Sequence, residues 1–383
     1  MTGYEIGLSY ADRLSKSELC YVCKEPFFRR HFYYEKLCLR CADLNFRKRY
    51  QSADLSGQIA LVTGARVKIG YATTLKLLRA GTEVIATSRF PRDAARRYAR
   101  EPDFPEWKNR LHLYGLDLRD LRRLEQFIQH LYETYSGLDI LVNNAAQTVR
   151  RPPAYYAHLL PLESAPLLEL SSLWRSLLEP PHNDQYTLQH VQPVAIDPSP
   201  PASNIARESV SFPAGQYDEH EQQIDNREFN SWVMRLEEVP MLEIVEVHLI
   251  NAVAPALLAG QLKELMQTRS ERNRYIVNVS AAEGRFAQDK AGYHPHTNMA
   301  KAALNMLTRS IAEDYADAHI FVNSVDPGWV SDQFPHTSNE SRLQARERLP
   351  LDLTDAAARV CDPVFSQLRI SGKLLKDYHI VDW

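Results

Sequence analysis

The chain lacks an apolar run long enough to cross a bilayer: in its 383 residues, stretches such as 250–260 and 275–282 fall short of the roughly 18 residues a spanning helix needs. Its amino terminus lacks the apolar core of a secretory leader, and a formal net charge of -3 offers no whole-chain attraction to nucleic acid. A cytoplasmic protein that engages neither membrane nor nucleic acid is expected. Cysteine is scarce too, five residues in all, and their spacing is not that of a disulfide framework. What remains, 44% hydrophobic and 24% charged residues, is the composition of a globular chain with room for one large domain and a smaller one.

Four of the five cysteines fall in one short stretch, Cys20-x-x-Cys23 and Cys38-x-x-Cys41. Two such knuckles separated by a short spacer can aim four thiolates at one tetrahedral ion, and a site closed by four sulfurs serves structure rather than catalysis. A structural zinc in a ribbon-like module over residues 1–54 is therefore expected. His31 in the spacer reads as a surface residue outside the ligand set, and the basic and aromatic residues around it as the module's own surface and core. Cys361 stands alone and reads as a small core residue.

From residue 55 the sequence alternates short apolar runs with amphipathic stretches. Strands are expected at 59–62, 83–87, 111–116, 139–142, 275–279 and 320–325, with a helix over 71–80. This alternation implies a parallel sheet with helices on both faces, hence an α/β domain over 55–383. Residues 147–240 interrupt it with over half of the chain's 22 prolines, leaving a short helix near 167–178. Its last part, Asn230-Ser231-Trp232, is expected to open the helix leading to Asn251, with Ser231 as its cap and Trp232 in packing.

The turn after the first of these strands reads Thr63-Gly64-Ala65-Arg66-Val67-Lys68-Ile69-Gly70. Small residues there let a pyrophosphate approach backbone N–H groups at a helix amino terminus. The turn resembles the glycine motif of short-chain dehydrogenase/reductases, with Lys68 in place of the middle glycine, as in the NADP-dependent pteridine reductases. Further along, Asp117-Leu118 resembles the family's adenine-contacting Asp, and Asn143-Asn144-Ala145-Ala146 resembles its NNAG element. Asn251 falls on the helix of the family's catalytic Asn, and Asp326-Pro327-Gly328 resembles the loop beside the nicotinamide. The resemblance covers 55–146 and 241 to the end. It implies a Rossmann-type doubly wound sheet, a dinucleotide cofactor, a small-molecule substrate and a homodimer or homotetramer built on the helices of Asn251 and Lys301, with Ala302, Ala303 and Leu304 at the contact. Strand 83–87 is followed by Ser88 and Arg89 where NAD users place an acid, so Lys68, Arg89 and Arg92 are expected to surround the 2′-phosphate of NADP(H).

The resemblance departs where the chemistry belongs. Residues 298–304, Asn-Met-Ala-Lys-Ala-Ala-Leu, align with the family's catalytic helix and place Lys301 as the ribose-holding lysine. Thr297, not tyrosine, lies four residues before it, and an aliphatic hydroxyl is a far weaker acid than a phenol. Ala281 takes the usual serine position, with Ser280 one residue earlier, and Asp332 stands where relatives have Thr near the carboxamide. Tyr293, His294, His296 or a water relayed by Asn251 and Lys301 remain as proton donors. Two functions follow: an NADP(H)-dependent reductase of a carbonyl or imine, or a degenerate nucleotide-binding protein acting as an interaction or sensing module.

Overall fold

Alternate residues of a strand face opposite ways, and at 59–62 both directions meet apolar side chains: Ala60 and Val62 enter one buried cluster, Ile59 and Leu61 another. Burial on two faces is why these strands read as unbroken apolar runs. A computed structural model describes residues 13–179, 210–331, 333–334 and 349–383. Ten strands are assigned: β1 Arg13–Leu19, β2 Pro26–Arg29, β3 Ile59–Val62, β4 Glu83–Ser88, β5 Leu111–Gly115, β6 Ile140–Asn143, β7 Arg274–Val279, β8 Ile320–Asp326, β9 Lys373–Lys376 and β10 His379–Val381. The first two form an antiparallel ribbon, and the other eight one sheet in the order β10-β9-β8-β7-β6-β3-β4-β5. Only the β9/β10 pair in that sheet is antiparallel.

The long helices are α1 Leu39–Arg49, α2 Lys68–Arg79, α3 Pro91–Tyr98, α4 Leu121–Thr134, α5 Met241–His248, α6 Ala254–Gln261, α7 Pro295–Asp317 and α8 Leu353–Phe365. Helices α2, α3 and α8 cover one face of the sheet, and α4, α6 and α7 the other. Because β3 lies between β4 and β6, the chain leaves it toward opposite sides, and the crevice outside the carboxyl ends of the strands at this switch point is where such sheets bind ligands. Helix α5 continues through a π turn, Leu249–Val253, into α6. The combined helix Met241–Gln261 is long and apolar enough to span a membrane by length and composition, which the sequence reading missed. Ile250, Ala254 and Leu258 bury its inner face against the sheet.

The insertion differs from expectation. The helix near 167–178 breaks into a 3-10 turn, Leu167–Glu169, and one helical turn, Ser172–Arg175. Leu113 N donates to Leu177 O (2.8 Å) and Glu179 N to Leu113 O (3.0 Å), so this segment covers the outer edge of β5. Ser231 is not a cap: Trp232 N donates to the Asn230 side chain, while the Ser231 hydroxyl bonds Glu243. Pro180, Pro181, Pro193, Pro198, Pro200 and Pro201 lie outside the described residues.

The amino-terminal module closes a third apolar core jointly with the large domain, Cys20, Phe27, Leu37 and Cys41 meeting Val330, Leu351 and Ala356. Ion pairs join α1 to α8: Arg49 to Asp352 (2.6 Å) and Asp355 (3.1 Å), and Lys48 to Asp362 (2.5 Å). His31 is buried rather than on the surface, its Nδ1 accepting the backbone N–H groups of Tyr33 (3.1 Å) and Tyr34 (3.3 Å). Cys361 is a buried core residue, as its isolation suggested.

Candidate active site

The glycine turn leaves β3 with Gly64 at φ 68° and enters α2 at Lys68, which is itself left-handed at φ 54°. Lys68 therefore holds a conformation that favours glycine, a local strain that the surrounding turn must maintain. Gly70 tolerates no side chain: a Cβ there would stand 2.3 Å from Gly64 O and 2.4 Å from Asn144 Nδ2. Asn144 fixes the turn by donating to the carbonyls of Thr63 (2.9 Å) and Gly64 (3.2 Å), and Thr63 Oγ1 accepts from the backbone N–H groups of Asn144 and Ala145.

Beside this turn lies an open cavity of about 710 Å³ that runs along the carboxyl ends of the strands. Of the residues expected to bind a cofactor, Gly64, Arg66, Lys68, Ile69, Gly70, Ser88, Arg89, Asp117, Leu118, Ala145, Lys301, Pro327 and Gly328 line it. Asn143 does not. Its side chain is buried in the sheet, Nδ2 donating to Asn278 Oδ1 (2.8 Å) in a polar chain that continues to Thr308 and Ser324. Its neighbour Asn144 takes the cavity wall.

At the end of the cavity beside β4, Arg89 stacks on Tyr156 with its guanidinium 4.6 Å from the ring centre and donates to its hydroxyl (2.7 Å). Arg66 pairs with Asp93 (2.8 Å). Arg92 departs from expectation: it is buried away from the cavity, donating to the carbonyls of Leu162 and Ala165 in the insertion. Arg151, also from the insertion, lines the cavity in its stead. Burial pushes the Asp117 carboxyl up, but Arg119, bonded to it through the guanidinium, and Arg89 outweigh that and hold it below the usual range. The insertion's Glu163 accepts the N–H groups of Arg92 (3.2 Å) and Asp93 (2.8 Å) at the start of α3. Burial raises it to about 7 despite those donors.

At the far end, Lys301 reaches the cavity wall from α7 and donates to Val279 O (2.7 Å). Burial pulls its ammonium down to about 8 against the charges of Glu283 and Asp326. Lys376 pairs with Asp326 (2.6 Å), and Asp326 Oδ1 accepts the Gly328 N–H (2.9 Å), fixing the loop after β8. Ser280 lines the cavity, but its hydroxyl turns to Asn305 Oδ1 (2.7 Å). Asn251, in the π turn, spends its whole amide on Gln147, accepting from its N–H and donating to its carbonyl, each at 2.8 Å.

The expected proton donors are not brought to the cavity. Tyr293 is exposed, its ring beneath Arg235. His294 caps α7 at φ 41° and stacks on Trp232 with ring centres 4.0 Å apart. His296 and Thr297 are buried, both directed at Thr148 O at 3.3 Å. Asp332 lies outside the described residues. Trp232, taken as packing, lines the cavity as well. So does Tyr21 of the amino-terminal module, which carried no signal in the sequence beyond its place between two cysteines.

In that module the four thiol sulfurs lie within 4.8 Å of one another, Cys23 to Cys38 at 3.7 Å. Four sulfurs at about 2.3 Å from one ion would be separated by about 3.8 Å, so the set fits a tetrahedral thiolate site.

Comparisons with known proteins agree with this geometry. Residues 58–158 match a family model described as short chain dehydrogenase, and 229–355 one described as Enoyl-(Acyl carrier protein) reductase. The chain is 30% identical over 375 residues to Uncharacterized protein R665 of Acanthamoeba polyphaga mimivirus, covering 94% of this chain and 74% of that protein. It is 37% identical over 95 residues to a WW domain-containing oxidoreductase of Drosophila melanogaster, covering 24% of this chain but only 23% of that one. Among solved structures, a short chain dehydrogenase from Burkholderia cenocepacia in complex with NADP superposes with a TM-score of 0.54 at 18% identity, covering 84% of this chain and 97% of that one. NADPH-bound carbonyl reductase from chicken fatty liver gives 0.52 at 18%, covering 88% and 98%. At these identities the superpositions establish the fold.

Proposed function

The chain belongs to the short-chain dehydrogenase/reductase family, and on that premise we propose that it is an NADP(H)-dependent oxidoreductase acting on a carbonyl or imine, with Lys301 supplying the proton that a tyrosine supplies in relatives. The observation that carries this reading is the cavity itself: a left-handed glycine turn, Arg89 and Lys68 at one end and Lys301 at the other, on one continuous wall. When bound, the dinucleotide supplies the hydride. Arg89, Lys68 and Arg66 offer cations to a 2′-phosphate, with no carboxylate at Ser88 to repel it. Asn144 and Thr63 keep the turn shaped for the pyrophosphate. An ammonium titrating near 8 holds a proton at neutral pH and can give it up to an oxygen or nitrogen placed beside it, directly or through one water. The cysteine module would hold one structural zinc.

Loss of both the serine and the tyrosine positions, to Ala281 and Thr297, favours a second reading, a dinucleotide-binding protein without turnover. Following NADPH absorbance against a broad panel of aldehydes, ketones, quinones, imines and pterins separates the two. Oxidation that depends on Lys301 supports the enzyme, and tight binding with no oxidation supports the second reading. Association is also proposed: Val253, Met299 and Met306 are exposed on the helices that relatives are expected to pair, although Leu304 faces the core. Light scattering showing a monomer at micromolar concentration would contradict it.

A further inference from the structure

The loop after β8 rests on the amino-terminal module. Trp329 N donates to the hydroxyl of Tyr21 (2.8 Å), and Tyr21 stands between Cys20 and Cys23 in the first knuckle. A Cβ on Gly328, at φ 85°, would lie 3.6 Å from that hydroxyl, so the glycine and the tyrosine are in near contact. One residue further on, Val330 is buried in the same core as Cys20 and Cys41, and Ile69 of the glycine turn packs against that core. Two loops that line the cavity, the glycine turn and the loop after β8, thus both rest on the four-cysteine module. Tyr21 itself forms part of the cavity wall.

The knuckle is held by Lys24 N to Cys20 O (2.9 Å), Cys20 N to Glu25 O (2.9 Å) and Tyr21 N to Lys36 O (2.8 Å), with Cys38 N donating to Cys20 Sγ (3.3 Å). Its shape in a thiolate site is set by the ion, because ligand geometry and local folding are one equilibrium. We propose that metal occupancy of the Cys20, Cys23, Cys38 and Cys41 site and dinucleotide binding in the cavity are linked, with Tyr21 as the positioning residue that carries the linkage to the loop at 327–331. This rests on the reading of the cavity as a dinucleotide site and of the cysteines as a metal site. The ion orders the knuckle, the knuckle holds Tyr21, and Tyr21 holds Trp329 while Val330 and Ile69 close the shared core. A ligand that needs both loops in place binds more weakly when the ion leaves. By reciprocity, the ligand then tightens the ion by the same factor.

The reciprocal form gives the test, because it does not require the metal-free chain to remain folded. Full-length protein as purified is assayed for zinc, then equilibrated with a chromophoric chelator of known affinity with and without saturating NADPH. The account expects at least a tenfold rise in apparent zinc affinity with NADPH. Tyr21→Phe keeps the ring and all four cysteines but removes the acceptor for Trp329 N–H. It should retain one zinc per chain, weaken NADPH by about three- to tenfold, the worth of one hydrogen bond, and reduce the linkage factor correspondingly. Equal zinc affinity with and without NADPH, in protein that binds both, overturns the linkage and leaves the two sites standing. An unchanged linkage factor in Tyr21→Phe overturns the role of Tyr21. Absence of zinc in the purified protein, or of any NADPH binding, overturns the proposal together with the reading of that site.

Discussion

The two ends of the cavity have departed differently from the family pattern. At the glycine-turn end the turn 63–70 holds a demanding form even where a residue departs from the pattern: Lys68 adopts a left-handed conformation that favours glycine, and Gly70 remains where no Cβ fits. At the chemical end Ser280 and Ala281 still line the cavity, but the hydroxyl groups have turned away or lie elsewhere. Thr297 is buried against Thr148 O, Ser280 is bonded to Asn305, and Tyr293 is on the surface. The carbonyl that holds Thr297 and His296 belongs to the start of the insertion. A backbone turn that must approach a phosphate constrains conformation whatever the side chain, whereas an acid is one group that can be moved to another position. Lys301 is a titratable family position that remains on that wall.

The predictions press on this contrast, from the strongest effect to the weakest. Lys301→Met should lower turnover by roughly a hundred- to ten-thousandfold, the range for losing general acid catalysis. In the unaltered protein turnover should fall as pH rises through about 8, where the ammonium loses its proton. A pH-independent rate from 6 to 9 would remove Lys301 from the acid role. Gly70→Ala should weaken NADPH binding about a hundredfold, since the methyl group meets backbone at 2.3 Å rather than a side chain that can move. Fluorescence titration measures it. Arg89→Ala should cost NADPH about tenfold or more and leave NADH nearly unaffected, as expected for one charge-assisted contact to a phosphate.

A smaller effect concerns the insertion. Glu163 has its folded pKa raised, from an ordinary carboxyl value to about 7. Its contribution is therefore full at low pH and is lost as pH rises through about 7, at up to about 1.4 kcal/mol per pH unit in between. Amide exchange in residues 153–179 should quicken between pH 5 and 8 beyond the intrinsic rate, and Glu163→Gln should flatten that rise. Smallest of all, Tyr293→Phe and Thr297→Ala should change turnover by less than about twofold. A large loss from either would show that the acid end reorganises when ligand binds.

Strands β3 to β8 were legible because strands buried on two faces announce themselves as apolar runs, whereas the short β9 and β10 were not expected; the glycine turn was legible because backbone approach demands small residues at fixed spacing. Lys301 followed from a local match. The fate of the proton donors did not, since it depends on Thr148 and Trp232, contributed by a proline-rich segment with no periodicity to read. The places of Arg92 and Arg151 were hidden for the same reason: the insertion supplies the carbonyls that bind the first and carries the second to the cavity wall. The contact of Tyr21 with Trp329 spans 308 positions in sequence, and no pattern within either segment points to the other.

The central claim is that the nucleotide end remains a working NADP(H) site although the usual acid is gone. Titration calorimetry of the full chain with NADPH and NADH, under identical conditions, tests it most directly. The account predicts one NADPH bound per chain, at least tenfold tighter than NADH. No heat of binding with either, or NADH bound as tightly as NADPH, would contradict it.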